Sequence, residues 1–220
     1  KTVYITKAEA TDGNGEVQGA SLEVIAEDGT VVESWKSYEV EGETGPHKIE
    51  LVPGTYTLKE TLLPTNDIYH VQSPDVVFTV GEDGKVTSTN VIGNDQNNVV
   101  MIDDIGGALE ITVDEKTSGK VVPGATIEVT YPDGSKKEFK SDDNGKVFIP
   151  NLPAGTYSYK VTDIPSEYRD KNFEIVTDGG KSETVVKKNE TTKENEKIDP
   201  KVTTEQPTTA TTEQPTTATT

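Results

Sequence analysis

Lys7, Glu60 and Asp103 are the residues of this chain whose types and spacing point to covalent chemistry. Each closes an apolar run in which alternate side chains share a face. Val3, Ile5 and Lys7 share one face, Tyr56, Leu58 and Glu60 a second, and Val99, Met101 and Asp103 a third. If these faces turn inward, a lysine and two carboxyl groups enter one core together. Burial disfavours the charged form of such groups. A desolvated lysine can hold a neutral amine, which is a nucleophile. A buried glutamic acid can keep its proton and polarise a neighbouring carboxyl carbon. The chemistry within reach is attack of Lys7 Nζ on Asp103 Cγ, with Glu60 shuttling protons and one water leaving. The product is an amide between side chains, formed once and without turnover. Packing supplies the proximity, which can replace roughly 7–11 kcal/mol of barrier. Two plainer readings use the same residues. Lys7 at a strand end can snorkel to solvent, or it can pair with Glu60 as an ordinary salt bridge. Asp104 is a rival acceptor, although alternation sets it on the opposite face.

The elements that must position these residues are short. Val3–Lys7, Ser21–Ala26, Val31–Trp35, Tyr56–Glu60, Val76–Val80 and Val99–Asp103 are rich in Val, Ile, Thr and Tyr. Turn signals separate the runs, among them Asp12-Gly13-Asn14-Gly15, Asp28-Gly29 and Asp83-Gly84. This spacing predicts an all-β antiparallel sandwich, and no stretch carries a helical period. The pattern then repeats. Gly19-Ala20-Ser21-Leu22-Glu23-Val24 returns as Gly124-Ala125-Thr126-Ile127-Glu128-Val129, and Gly54-Thr55-Tyr56 returns as Gly155-Thr156-Tyr157. The offset is about a hundred residues, the size of one small sandwich. Two tandem modules are expected, at 1–105 and 106–191, with Gly106-Gly107 as the hinge of a fairly stiff rod. From residue 192 Glu, Lys and Thr dominate, and an eight-residue unit repeats from Thr203 to Ala218. A disordered Thr/Glu/Pro-rich stalk is expected over 192–220.

The first module resembles the collagen-adhesin B-type (CnaB) isopeptide domains of Gram-positive surface proteins. It is most similar to the streptococcal fibronectin-binding domain that has been split into a peptide tag and its catcher. The resemblance is carried by Ile5-Thr6-Lys7, Gly19-Ala20, Glu33-Ser34-Trp35, the run from Pro53 to Thr61, Phe78-Thr79-Val80 and the run from Val99 to Asp103. It covers nearly all of residues 1–104. It implies an immunoglobulin-like or prealbumin-like sandwich, an isopeptide crosslink between Lys7 and Asp103, and a catalytic Glu60. The second module resembles the same family more loosely, and there the chemistry is missing. The position matching Lys7 is Thr112 or Val113, depending on whether the Gly-Ala or the Ile-Thr pairs are aligned. The position matching Glu60 is Val161, and Asn189 is a leftover acceptor with nothing to react with. Losing lysine and glutamate together avoids an unpaired buried charge. An uncrosslinked sandwich is expected there.

The composition narrows the function. The 220 residues carry a net charge of -18, which argues against nucleic acid and against anionic membrane as partners. There is no cysteine, so disulfides and cysteine-based catalysis are excluded. No apolar run approaches the roughly 20 residues that span a bilayer, so no membrane insertion is expected. No cofactor or metal is expected either. The Asp12–Gly15 and Asp142–Gly145 stretches read as tight turns, because neither has the spacing of a calcium loop. His47 and His70 read as surface residues, and Trp35 as a packing residue. No signal peptide is visible at Lys1 and no LPxTG-type motif closes the chain, so the simplest expectation is a fragment of a longer precursor.

A monomeric stalk module of an extracellular, cell-wall-anchored bacterial adhesin or pilus-like protein is the function expected. The sorting signal that reaches peptidoglycan would lie outside this segment. A direct adhesive module that binds a host extracellular-matrix protein such as fibronectin or collagen is the alternative, and an accessory domain of an extracellular enzyme a third. Val129-Thr130-Tyr131-Pro132 is followed by Asp133, where a pilin polymerisation motif would need lysine.

Overall fold

The computed structural model describes residues 1–9, 17–88, 97–175 and 182–200. The first module comprises β1 (Thr2–Glu9), β2 (Ser21–Ala26), β3 (Val31–Lys36), β4 (His47–Glu50), β5 (Gly54–Leu62), β6 (His70–Val71), β7 (Val76–Val80), β8 (Val86–Ser88) and β9 (Asn98–Ile105). The second comprises β10 (Gly107–Glu115), β11 (Thr126–Thr130), β12 (Lys136–Lys140), β13 (Lys146–Leu152), β14 (Gly155–Asp163), α1 (Ser166–Arg169), β15 (Phe173–Ile175), β16 (Ser182–Val186) and β17 (Thr191–Pro200). Each module is two facing sheets. The first packs β4-β1-β9-β6 against β3-β2-β5-β7-β8, and the second packs β13-β10-β17-β15 against β12-β11-β14-β16. The chain is nearly all β, with two tandem sandwiches of matching strand order.

Alternation builds each core. Val3 and Ile5 of β1, Leu22 and Val24 of β2, Leu58 of β5, Phe78 of β7 and Met101 of β9 face inward and are buried together with Trp35. The second core gathers Leu109, Ile111 and Val113 of β10, Ile127 and Val129 of β11, Tyr157 and Val161 of β14, and Ile198 of β17. The repeated Gly-Thr-Tyr turn has the same purpose in both modules. Tyr56 donates its hydroxyl to Val52 O at 2.9 Å, and Tyr157 donates to Pro153 O at 2.8 Å. Each closes the turn that opens its own strand. The repeated Gly-Ala pair is likewise tied down by a buried serine. Ser37 accepts from the Ala20 N–H at 3.0 Å, and Ser141 from the Ala125 N–H at 2.9 Å.

The sequence expectations change at the C-terminal end of the second module and at one helical turn. The stalk expected from residue 192 begins instead with β17, a ten-residue strand parallel to β10 from Ala108↔Thr191 to Glu115↔Ile198. Backbone pairing needs no apolar side chain, and one inward aliphatic, Ile198, was too faint a signal. The second module therefore runs to Pro200. Residues 201–220, including both eight-residue repeats, lie outside the described residues, as does the Asp12–Gly15 turn. One helical turn, α1, follows Pro165 and is too short to show a period.

The Gly106-Gly107 hinge is a packed joint. A Cβ on Gly106 would lie 1.9 Å from Leu152 O, and one on Gly107 2.2 Å from Lys187 O. Across this joint Asn151, in the left-handed region at φ 57°, donates its backbone N–H to Ile68 O at 2.9 Å. Its side-chain amide donates to Asp67 O at 3.0 Å and to His70 O at 2.8 Å.

The histidines are not simple surface residues. His47 is buried, stacked on Trp35 at 4.2 Å, with its ring nitrogens 2.9 Å from Glu43 and 3.0 Å from Glu33. His70 is half-buried between Asp67 and Glu9. Glu33 and Glu9 reach the rings from other strands, whereas Glu43 and Asp67 are neighbours in sequence that the surface reading passed over. Trp35 packs in the core as expected, and Asp142–Gly145 is a tight turn closed by Gly145 N–H on Asp142 O at 2.9 Å.

Candidate functional site

Lys7, Glu60 and Asp103 come from β1, β5 and β9. The first and last strands of the module pair in parallel, with Lys7 opposite Met101. Asp103 lies two residues further along and therefore faces the same interior. Glu60 reaches the same point from the facing sheet, where it pairs with Leu22 of β2. The side chains of all three are fully buried.

Lys7 Nζ lies 3.2 Å from Glu60 Oε2 and donates to Asp103 Oδ1. Ser73, from the segment between β6 and β7, touches all three. Its N–H donates to Glu60 Oε2 at 2.8 Å, its Oγ accepts from Lys7 Nζ at 3.0 Å, and the same Oγ lies 2.6 Å from Asp103 Oδ1. Gln72 adds a side-chain bond to Glu60 O at 2.5 Å, which holds this segment on β5. Two buried oxygens, Glu60 Oε1 and Asp103 Oδ2, have no hydrogen-bond partner among the described residues. Burial pushes the Glu60 carboxyl above its ordinary range. Lys7 and the Ser73 N–H oppose the rise, and Asp103 adds to it. The arrangement sets the Lys7 nitrogen against two buried carboxyl groups, one of which burial biases toward its protonated form.

The other sequence candidates lie elsewhere. Asp104 points away from the core and pairs with Lys188 of the second module at 2.9 Å. Asn189 is an exposed turn residue at φ 57° whose N–H donates to Gly106 O. The true counterparts in the second module follow from strand register. Val113 lies opposite Glu196 as Lys7 lies opposite Met101, so Val113 matches Lys7 and Ile198 matches Asp103. Val161 pairs with Ile127 as Glu60 pairs with Leu22. All three counterparts are aliphatic and buried. Thr112 and Asn189 are thereby set aside, because Thr112 is outside the core face and Asn189 precedes β17.

Ser73 escaped sequence reasoning, since a serine in Gln72-Ser73-Pro74 carries no periodic signal. Among the described residues no group of three or more His, Asp or Glu is placed to hold a metal ion. No helix among them is long and apolar enough to cross a membrane.

Comparison with known proteins gives a family and several distant likenesses. The family model for the SpaA prealbumin-like fold domain matches residues 1–95 and again 107–191. Among solved structures, the Bacillus anthracis TIE protein is 25% identical over 90% of this chain with a TM-score of 0.39. The chain spans 34% of that protein's length. The shaft pilin SpaA from Lactobacillus rhamnosus GG is 12% identical, with 92% of this chain and 98% of that one covered and a TM-score of 0.46. The minor pilin of Streptococcus agalactiae is 13% identical, with 92% and 97% covered and a TM-score of 0.40. No curated protein sequence matches the chain.

Proposed function

The chain belongs to the SpaA prealbumin-like fold domain family, and on that premise we propose that it is a stalk module of an extracellular bacterial surface protein, locked by a Lys7–Asp103 isopeptide bond that Glu60 promotes. The observation that carries this reading is a fully buried lysine in contact with two fully buried carboxyl groups. An ion pair so deep is a weak source of stability, because desolvation offsets the attraction. As reactants the same three groups are well placed.

The bond would close a loop of 96 residues between the first and last strands. By analogy with disulfides, a loop of about that length stabilises by roughly 4–5 kcal/mol through the unfolded state. An amide also resists reduction, which suits a chain without cysteine that must bear load outside the cell. Intact-mass measurement tests the reading. The native chain should weigh one water less than its sequence, and the Glu60→Gln variant should show the full sequence mass. A native chain of full mass overturns the crosslink.

A further inference from the structure

We infer that Ser73 is a catalytic residue of the Lys7–Asp103 reaction, its hydroxyl acting as the oxyanion donor that fixes Asp103 Oδ1 as the retained oxygen. This rests on the isopeptide reading above. The two oxygens of Asp103 are not equivalent. Oδ1 faces both Lys7 Nζ and Ser73 Oγ, while Oδ2 is buried without a partner, as is Glu60 Oε1. Oδ2, bonded to nothing, is the oxygen free to take up protons and depart. The partnered oxygen is the one that stays.

The step balances without a co-reactant. Lys7 begins as an ammonium and Asp103 as a carboxylate. One ammonium proton passes to Glu60, which gives its own proton to Asp103 Oδ2, and a neutral amine is left. Nζ then attacks Cγ, the Nζ–Cγ bond forms, and negative charge gathers on Oδ1. A second proton leaves nitrogen and reaches Oδ2 through Glu60, which begins and ends as the carboxylic acid. The Cγ–Oδ2 bond breaks with its electron pair, and Oδ2 departs as water carrying both protons. One hydrogen stays on the amide nitrogen.

Ser73 serves the middle of this sequence. Its Oγ accepts from Lys7 Nζ at 3.0 Å, and its single proton has two acceptors in reach, Ile102 O at 2.7 Å and Asp103 Oδ1 at 2.6 Å. As charge builds on Oδ1, the proton favours that oxygen over the neutral carbonyl. The hydroxyl is already desolvated and held in place, because the Ser73 N–H is bonded to Glu60 Oε2. Little reorganisation is needed when the charge appears.

Cell-free synthesis of the full chain, quenched in denaturant at timed intervals and read by intact mass, tests this. Ser73→Ala should fold but lose its water roughly a hundred- to a thousandfold more slowly than the native chain, the scale of one lost oxyanion donor. Ser73→Thr restores a hydroxyl and should recover most of the rate. Ser73→Cys keeps the shape with a weaker donor and should fall between, which covers the case in which Ser73→Ala folds poorly. Limited proteolysis of an unquenched aliquot at each time point separates slow chemistry from slow folding. Water loss at the native rate in Ser73→Ala, or no recovery in Ser73→Thr, would overturn the role of Ser73 and leave the crosslink standing. No water loss in the native chain would overturn both.

Discussion

Ile198 occupies in the second module the place that Asp103 occupies in the first. Each lies on the last strand, two residues beyond the partner of the position matched by Lys7 and Val113, and each is fully buried. One place holds a carboxyl group and the other a methyl-rich filler. Apart from the extra edge strand β8, the surrounding sandwich has the same strand order in both cases.

Installing one charge at that place should therefore be costly. Ile198→Asp puts a carboxyl among Val113 and Val161 with no cation to meet it, and should destabilise the second module by about 3–5 kcal/mol in urea unfolding. The triple variant Val113→Lys, Val161→Glu and Ile198→Asp restores the full set. It should recover stability and lose a second water by mass. A triple variant no better than Ile198→Asp would mean that the equivalence is one of position only.

Glu60 gives the unlinked first module a pH dependence. Its carboxyl is raised above the ordinary value of 4.5, with burial as the main cause. In Lys7→Met no bond can form, and the nearby cation that opposes the rise is gone. A folded-state value above the unfolded one means that the native state holds the proton more tightly. The stabilisation is then fully present below about pH 4.5 and is lost as pH rises through the folded value. Lys7→Met should be more resistant to urea near pH 4 than near pH 7, and adding Glu60→Gln should flatten that slope. An unchanged slope in the double variant assigns the effect to other groups.

The joint between modules should stiffen or loosen with Asn151. Its amide gives two hydrogen bonds to the carbonyls of Asp67 and His70. Asn151→Ala removes both and places a Cβ-only residue at a positive φ, where asparagine is better tolerated. Small-angle scattering should then show a broader range of inter-module angles, while each module keeps its own unfolding midpoint. A scattering profile identical to the native one would show that the glycine packing alone fixes the joint.

Pulling on the chain should extend one module and not the other. In the first, force entering at β1 and leaving through β9 would cross the amide. In the second, it loads the parallel pair β10 and β17, held only by non-covalent contacts, the backbone ladder together with the Asn195 and Lys197 side chains on Asp114. Single-molecule stretching should give one unfolding event that releases on the order of 300 Å of chain. Glu60→Gln should add a second event of similar length. Two events in the native chain would show that the first module is unlinked.

Much of this was legible in the order of residues. Side chains on a strand alternate whatever the strand pairs with, so the inward faces ending in Lys7, Glu60 and Asp103 could be read locally, as could the outward face of Asp104. The duplicated Gly-Ala and Gly-Thr-Tyr segments marked two modules for the same reason, since a tight turn needs its own residues. What alternation cannot say is which inward residues meet. The parallel pairing of β1 with β9 sets Lys7 beside Asp103 from 96 positions away, and a loop with no period of its own delivers Ser73 to both. The strand at Thr191–Pro200 was hidden because a backbone ladder accepts Glu, Lys and Asn as readily as Val. The tertiary structure decided these points, because contacts distant in sequence are fixed by closure of the whole sandwich and not by any one segment.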